Sequence, residues 1–416
     1  MTVLVIGSGG REHALVQAIV GSDADVHVAP GNPGIAAIAT CHAVVVDDID
    51  GLVELARRLV ADLVVIGPEV PLVLGLADAL RGASIAVFGP SRAAAQVEGS
   101  KAFAKELMVA AGVPTADYRA CATEAVAMAA VDEFAGVCVV KADGLAAGKG
   151  VLICTSASQA RAAVGQCFGG EFGSAGTSVV VEELMSGPEV SLLTLCVNEQ
   201  AIALAPAQDF KRVGDGDRGL NTGGMGAYSP LPWLELDPTQ LARELCEPIL
   251  RELARRGTPF SGCLYAGIML TSNGPRVLEY NVRFGDPETQ ALCARTDSLL
   301  AALAAVADGR VPTLEVRDEA AVTVVLAAPG YPEAPRSGQP ITGIERAEAL
   351  PGVTVQHAGT AQRDGTLVVS GGRVVCVTAI GDTLAVARDR AYAAAELIEF
   401  EGKHNRTDIA LEASRG

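Results

Sequence analysis

The sequence predicts an α/β protein whose first region is a parallel sheet covered by helices. Three observations lead there. Hydrophobic residues make up 50% of the 416 residues but aromatic ones only 4%, so the cores must be built from Ala, Val, Leu and Ile, small side chains that suit parallel sheets closely covered by helices. Short β-branched runs alternate with amphipathic helical patterns over residues 1–90, the signature of βαβ units. Glycine-rich segments stand just beyond strand ends, where α/β proteins place ligands. The length exceeds one ordinary domain and predicts two to four.

In chain order, a strand at Val3 to Ile6 leads into a helix over Glu12 to Val20, with Ala14, Leu15, Ala18 and Ile19 on one face. Strands follow at 26–29 and 44–46, then a helix near 50–60, a strand at 63–66, a helix near 71–81 and a strand at 85–88. A helix over 101–111 stops at Gly112 and Pro114. Strand-like runs come next at 137–141, 151–154, 179–184 and 190–197. Residues 206–230 read as a long irregular stretch, and glycine-rich loops of that length in compact enzymes usually carry function. A helix over 240–256 leads to CLYAGIML and RVLEYNVRFGDPE. After the surface segment PGYPEAPRSG come two strands and a helix in which Leu384, Ala387, Ala391, Ala394 and Ile398 share a face.

The formal net charge of −17 and the lack of Lys/Arg clusters argue against nucleic acid as a partner, while local donors can still hold a small anion. Ten scattered cysteines without a C-x-x-C pair predict buried free thiols in a reducing compartment. TVLVIG is a strand entering a glycine turn rather than a leader, and no run approaches the length of a membrane span; a cytoplasmic protein is expected.

Five motifs can carry chemistry. Gly9, Gly10, Arg11 and Glu12 follow the first strand, where glycines let backbone N–H groups approach an anion at a helix start. A dinucleotide fingerprint requires glycine at the position of Glu12, so a phosphate-sized ligand is favoured over NAD, although a plain strand–helix turn would look the same. The turns Pro30-Gly31-Asn32 and Gly67-Pro68-Glu69 can border the same crevice. Lys141 ends a strand and is followed by Gly144 to Gly150, a small-residue loop containing Gly148 and Lys149. Its amides can meet phosphate oxygens, yet Gly150 stands where a Walker loop needs a hydroxyl. Glu182, Glu183 and Glu189 flank the end of an apolar strand, as would suit a nucleoside or a solvated turn. Glu279 and Asn281, two apart on a strand, share a face and can offer oxygens to one magnesium or manganese ion; Arg283 and Asp286 follow. Asp209, Lys211 and the stretch Asn221, Thr222, Gly223, Gly224, Met225 border a loop able to form an anion nest. The five histidines form no cluster in sequence.

VLVIGSGGREHAL, KADGLAAGKGV, KRVGD, NTGGMGAYSP, NVRFGDPETQ and GGRVVCVTA, in this order, resemble the glycinamide ribonucleotide synthetase family of the ATP-grasp superfamily over essentially the whole chain. The resemblance implies a Rossmann-like substrate domain over 1–100, an ATP-grasp domain over 101–325 with a lid near 115–190, and a small C-terminal domain over 326–416. It also implies ATP-dependent ligation of glycine to 5-phosphoribosylamine; a monomer is expected. Lys101 and Lys141 resemble the nucleotide-binding lysines, 144–150 the phosphate loop, Glu182, Glu183 and the Leu184 backbone the adenine hinge, and Glu189 the ribose ligand. Glu279 and Asn281 match the metal ligands, and the SGGRE turn the amino-sugar phosphate subsite. Phe210 departs from the family pattern, which has histidine between Asp209 and Lys211. Chemically, Arg283 is expected to steady the glycine carboxylate, and Asp209 and Asp286 its ammonium. Another ATP-grasp ligase, a nicotinamide oxidoreductase and a non-catalytic nucleotide-binding regulator are the competing classes.

Overall fold

The computed structural model describes residues 1–146 and 150–415. Gly148 and Lys149, expected in the phosphate loop, lie outside the described residues. The first region is a five-stranded, wholly parallel sheet in the order Thr40–Cys41, Asp25–Pro30, Thr2–Gly7, Leu63–Ile66, Val87–Phe88. Alternate residues of its central strand serve opposite faces. Val3 and Val5 pack with Leu15, Val16 and Ile19 of the helix Gly10–Val20, whereas Leu4 and Ile6 pack with Leu52, Leu55, Leu72 and Leu80. Both faces are covered, which explains the uninterrupted apolar strands.

Two local expectations fail here for physical reasons. No strand forms at 44–46: Val45 is exposed, so this run lacks the covered faces a parallel strand needs, and the third strand is Thr40–Cys41. The helix expected near 71–81 is divided into Glu69–Leu74 and Leu76–Gly82 by Gly75, whose φ of +95° lies in the left-handed region.

Two antiparallel four-stranded sheets form the middle of the chain. One has the order Tyr118–Cys121, Val179–Glu183, Cys138–Ala142, Val151–Cys154. Together with the helices Glu124–Glu133 and Ala157–Phe168 it encloses a separate core that includes Val131, Val140, Val164 and Val181. The other has the order Gln200–Ala203, Glu189–Val197, Gly262–Thr271, Gly274–Asn281. The helical span expected over 240–256 is Pro238–Leu241, a π-turn at Ala242–Cys246, and Glu247–Arg255; Pro248 has no N–H to donate to residue 244, so the regular ladder breaks there.

The stretch 206–230 is more ordered than its glycines suggest. Gln208–Asp209 and Gly226–Ser229 join Ala320–Ala327, Arg373–Gly381 and Val353–His357 in one five-stranded sheet, while Arg212–Gly214 pairs with Arg218–Asn221. Strand Ala320–Ala327 runs across the boundary expected between 325 and 326. The C-terminal helix Leu384–Leu397 buries Leu384, Ala387, Ala391 and Ala394 as the 3/4 spacing requires. All ten cysteines are free, eight of them buried. Among the described residues, no helix is long and apolar enough to cross a membrane.

Candidate functional site

The strand Cys138–Ala142 carries Lys141 beside the strand Gly274–Asn281: its Nζ donates to the Leu278 carbonyl at 3.1 Å and lies 3.0 Å from Glu182 Oε2. Lys105, on the helix Lys101–Ala111, reaches the same Glu182 oxygen at 3.1 Å and donates to Thr115 Oγ1 at 2.7 Å. Burial and the neighbouring Lys141 push Lys105 down to about 8, against the pull of Glu182. Lys101 Nζ donates to the Gly144 carbonyl at 3.0 Å, and Asp143 Oδ1 accepts from Ser100 Oγ and the Ala102 N–H, so the start of the loop is tied to the start of this helix. Gly144 has φ +158° and packs against Ala175, where a Cβ would come within 2.9 Å.

Glu182 and Glu183 are adjacent on a strand and leave it on opposite faces. Glu182 is buried among the lysines, with its Oε1 lacking a hydrogen-bond partner among the described residues. Glu183 instead meets Arg276 at 3.0 Å, and Leu184 follows half-buried.

Glu279 sits where these segments converge. Burial alone would raise its pKa, but Lys141, Lys101, Lys211 and Arg283 outweigh that and hold it below the usual carboxylate range. Asn281 Oδ1 accepts from Arg283 Nη2 at 3.3 Å. One ionised carboxylate and one amide oxygen fit magnesium or manganese, which take the remaining ligands from phosphates and water. Among the described residues, no group of three or more His, Cys, Asp or Glu could hold an ion unaided. Arg283 also meets Glu98 at 3.0 Å and Glu69 at 3.3 Å. Burial would lower the Arg283 pKa, but Glu98 and Glu69 raise it above its ordinary value.

A second cluster adjoins. Lys211 Nζ bridges Glu189 Oε2 at 2.7 Å and Asp209 Oδ1 at 2.8 Å; those two acids outweigh burial and raise it well above a free lysine. Phe210, between them, turns away to pack against Tyr228 and beneath the buried guanidinium of Arg406, 4.7 Å from its ring centre. Ser191 Oγ lies 3.3 Å from Asp209 Oδ1, 3.3 Å from Glu288 Oε1 and 3.1 Å from Tyr265 Oη. Asp286 is drawn elsewhere: Arg373 meets its Oδ2 and Gln290 its Oδ1, each at 2.9 Å. Arg373 also donates to the Gly223 carbonyl and to Asp286 O. Gly224, at φ +109°, lies where a Cβ would strike Pro287 at 2.4 Å. Thr222 Oγ1 accepts from the Gly224 N–H, the Met225 N–H donates to Phe210 O, and the Asn221 amide donates to Val151 O.

At the N-terminal turns, side chains face inward. Glu12 Oε2 accepts from the Gly9 N–H at 2.6 Å and its Oε1 meets Arg11 Nε at 2.5 Å. A Cβ on Gly7 or Gly67 would come within 2.4 Å of the Glu12 side chain, so the glycines make room for Glu12. Gly10 abuts Gln290 and Cys376. In the turn Pro30-Gly31-Asn32, the Asn32 amide donates to Ser8 O and His357 O, both at 2.8 Å. Four of the five histidines, though scattered in sequence, pair in space: His13 Nδ1 accepts from the His357 N–H at 2.7 Å, and His27 faces His42 at 3.0 Å.

Sequence reasoning missed Lys105, Asp143, Glu98, Ser191, Tyr265 and Arg373 as neighbours of these groups. Lys105, four residues after Lys101, shares its helix face, a signal available in the sequence. The others depend on partners tens to hundreds of residues away.

Comparison with known proteins bears on this arrangement. Residues 1–98, 99–289 and 321–412 match the N domain, the ATP-grasp (A) domain and the C domain of phosphoribosylglycinamide synthetase. The chain is 52% identical to a phosphoribosylamine–glycine ligase of Streptomyces coelicolor, covering 100% of both chains. It is 50% identical to one of Brucella melitensis, covering 99% of this chain and 98% of the relative. The crystal structure of a phosphoribosylamine–glycine ligase from Thermotoga maritima superposes with a TM-score of 0.87 at 35% identity, covering 99% of this chain and 100% of that one.

Proposed function

Because this chain belongs to the phosphoribosylglycinamide synthetase family and is a ligase of the ATP-grasp type, we propose that it joins glycine to the amine of 5-phosphoribosylamine with ATP, giving glycinamide ribonucleotide, ADP and phosphate. The observation that carries this reading is the meeting of Lys141 and Lys105 on Glu182 Oε2, with the Lys141 Nζ also on the Leu278 carbonyl of the strand that bears Glu279 and Asn281.

A carboxylate does not acylate an amine, because oxide is a poor leaving group. Transfer of the ATP γ-phosphoryl gives glycyl phosphate, whose phosphate leaves readily when the amine attacks the acyl carbon. Catalysis of such transfer is mostly positioning and charge stabilisation. Lys101 and Lys141 balance charge on the nucleotide phosphates, and the loop Gly144 to Gly150, with Gly148 and Lys149, covers them. The Leu184 backbone, beside Glu182 and Glu183, reads the adenine edge, with Glu189 within reach of the ribose. Glu279 and Asn281 hold magnesium or manganese, which when bound neutralises phosphate charge. Arg283 steadies the glycine carboxylate as it is phosphorylated. The turn at Gly9 and Gly10, where the Gly10 N–H opens the helix Gly10–Val20, receives the sugar phosphate together with Arg11 and the turns at Gly31 and Gly67. The sheet 118–183 has its own core, which suits a lid that keeps water from the acyl phosphate. A monomer acting on small molecules in the cytoplasm completes this proposal.

ADP release measured with magnesium, glycine and phosphoribosylamine, omitting each in turn, tests the proposal. Dependence on both substrates is expected. Full turnover with a different amine acceptor, or no turnover at all, would overturn it.

A further inference from the structure

The sheet 118–183 and the helix Lys101–Ala111 bury three ionisable groups around one oxygen. Lys105 and Lys141 stand 3.1 and 3.0 Å from Glu182 Oε2, and none of the three residues is more than 5% exposed. Two ammonium groups on one carboxylate leave one positive charge over, and the two lysines share it unequally. Lys105, one turn beyond Lys101 on the same helix face, directs its donors inward. Besides Glu182 it reaches Thr115 Oγ1 at 2.7 Å, whose own proton goes to the Val277 carbonyl, and its ammonium lies 6.0 Å from the centre of the Tyr118 ring. Lys141 has the Leu278 carbonyl and Glu182 as its partners among the described residues, which leaves at least one of its three N–H groups for a ligand.

We propose that Lys105 is a positioning residue for the nucleotide: it neutralises Glu182, so that the charge of Lys141 stays available to the ATP phosphates. This rests on the ligase reading above and deepens it. Without Lys105, Glu182 and Lys141 would cancel each other, and an ammonium wholly paired with its own carboxylate attracts phosphate only weakly. Stability does not account for the group, because a buried ion pair is commonly no better than an apolar side chain of the same size. Lys105 is itself too buried to meet the nucleotide, so it acts through Glu182 and Lys141. Thr115 ties its ammonium to Val277 on the strand Gly274–Asn281, whose next residue, Leu278, holds Lys141. Both lysines are therefore set against one strand, one turned to the interior and one with a donor to spare.

The test is steady-state kinetics of the full-length protein with MgATP, glycine and phosphoribosylamine. Lys105→Met, which keeps the length and removes the charge, should raise KM for ATP about 10- to 100-fold, the range of a lost charge-assisted hydrogen bond. KM for glycine and kcat should stay nearly unchanged, the pattern of a loss in uniform binding. Lys105→Arg should recover part of the loss, and Lys105→Met/Glu182→Gln, which frees Lys141 again, should recover most of it. If Lys105→Met does not fold, Thr115→Val deprives the same ammonium of its acceptor and should raise KM for ATP several-fold. An unchanged KM for ATP in folded Lys105→Met, or in Thr115→Val where that variant carries the test, overturns the inference. So does a double variant as impaired as Lys105→Met alone, since the loss would then be one of packing and not of charge. Wild-type protein that releases ADP without regard to glycine or phosphoribosylamine would instead sink the ligase reading.

Discussion

The nucleotide end and the N-terminal turns are both glycine-rich, yet they use side chains in opposite ways. Around Glu279, four cations and several acids converge with charges that their own neighbours do not wholly satisfy. At the N-terminal turns, Glu12, Asn32 and His13 are buried and bonded to main chain, and the N–H groups of Gly9, Gly31 and Gly67 are themselves taken up by Glu12 Oε2, Gly7 O and Ile6 O. A charged site of the first kind reacts through side chains and should respond sharply to substitution. A site of the second kind is a rigid mould whose side chains contribute stability.

Arg283 gives the largest expected effect. Arg283→Ala removes the group that links Asn281 to Glu98 and Glu69, and ligation should fall by about 10³-fold with ATP binding nearly intact. Turnover and nucleotide binding are measured on the same preparation, with Arg283→Lys as a control for the stranded acids. Normal turnover in Arg283→Ala would show that the charge cluster is structural, and the contrast between the two regions would fail.

Glu279→Gln should act more narrowly. It keeps the shape but removes the ionised oxygen, so the magnesium concentration for half-maximal rate should rise about tenfold. A metal titration checks this, and an unchanged curve would remove Glu279 from the metal site.

The two regions also differ in how far the sequence reveals them. Lys141, the glycine loop and the Glu279/Asn281 pair are contiguous motifs whose spacing alone gives a shared face. The parallel sheet was equally legible, because strands covered on both faces must be uninterrupted apolar runs. By contrast, Arg373 reaches Asp286 across 87 positions and Ser191 reaches Glu288 across 97. Such pairings follow from topology, which no local pattern encodes. The short strands within 206–230 escaped notice because their glycines, needed for close approach to Thr323 and Pro287, read locally as loop. Exposed Val45 misled in the other direction, since an apolar run without a partner surface is not a strand.

The smallest expected effect concerns stability at the N-terminal turns. Burial and the nearby His357 push His13 down to about 3, while burial pushes His357 down to about 4. Both lie below the ordinary 6.5 of an unfolded histidine, so the unfolded chain binds protons first as the medium is acidified. The stabilisation from keeping these rings neutral is therefore fully present above pH 6.5 and is lost progressively down to about pH 3 to 4. It amounts to a few kcal/mol at most. Denaturant midpoints measured from pH 7.5 to 4.5 should fall in the wild type and fall less in His13→Gln, whose side-chain oxygen can still accept from the His357 N–H. Equal slopes in the two proteins would mean that acid acts elsewhere, on the ionised carboxylates of the nucleotide end, and that the N-terminal mould is not held by its neutral histidines.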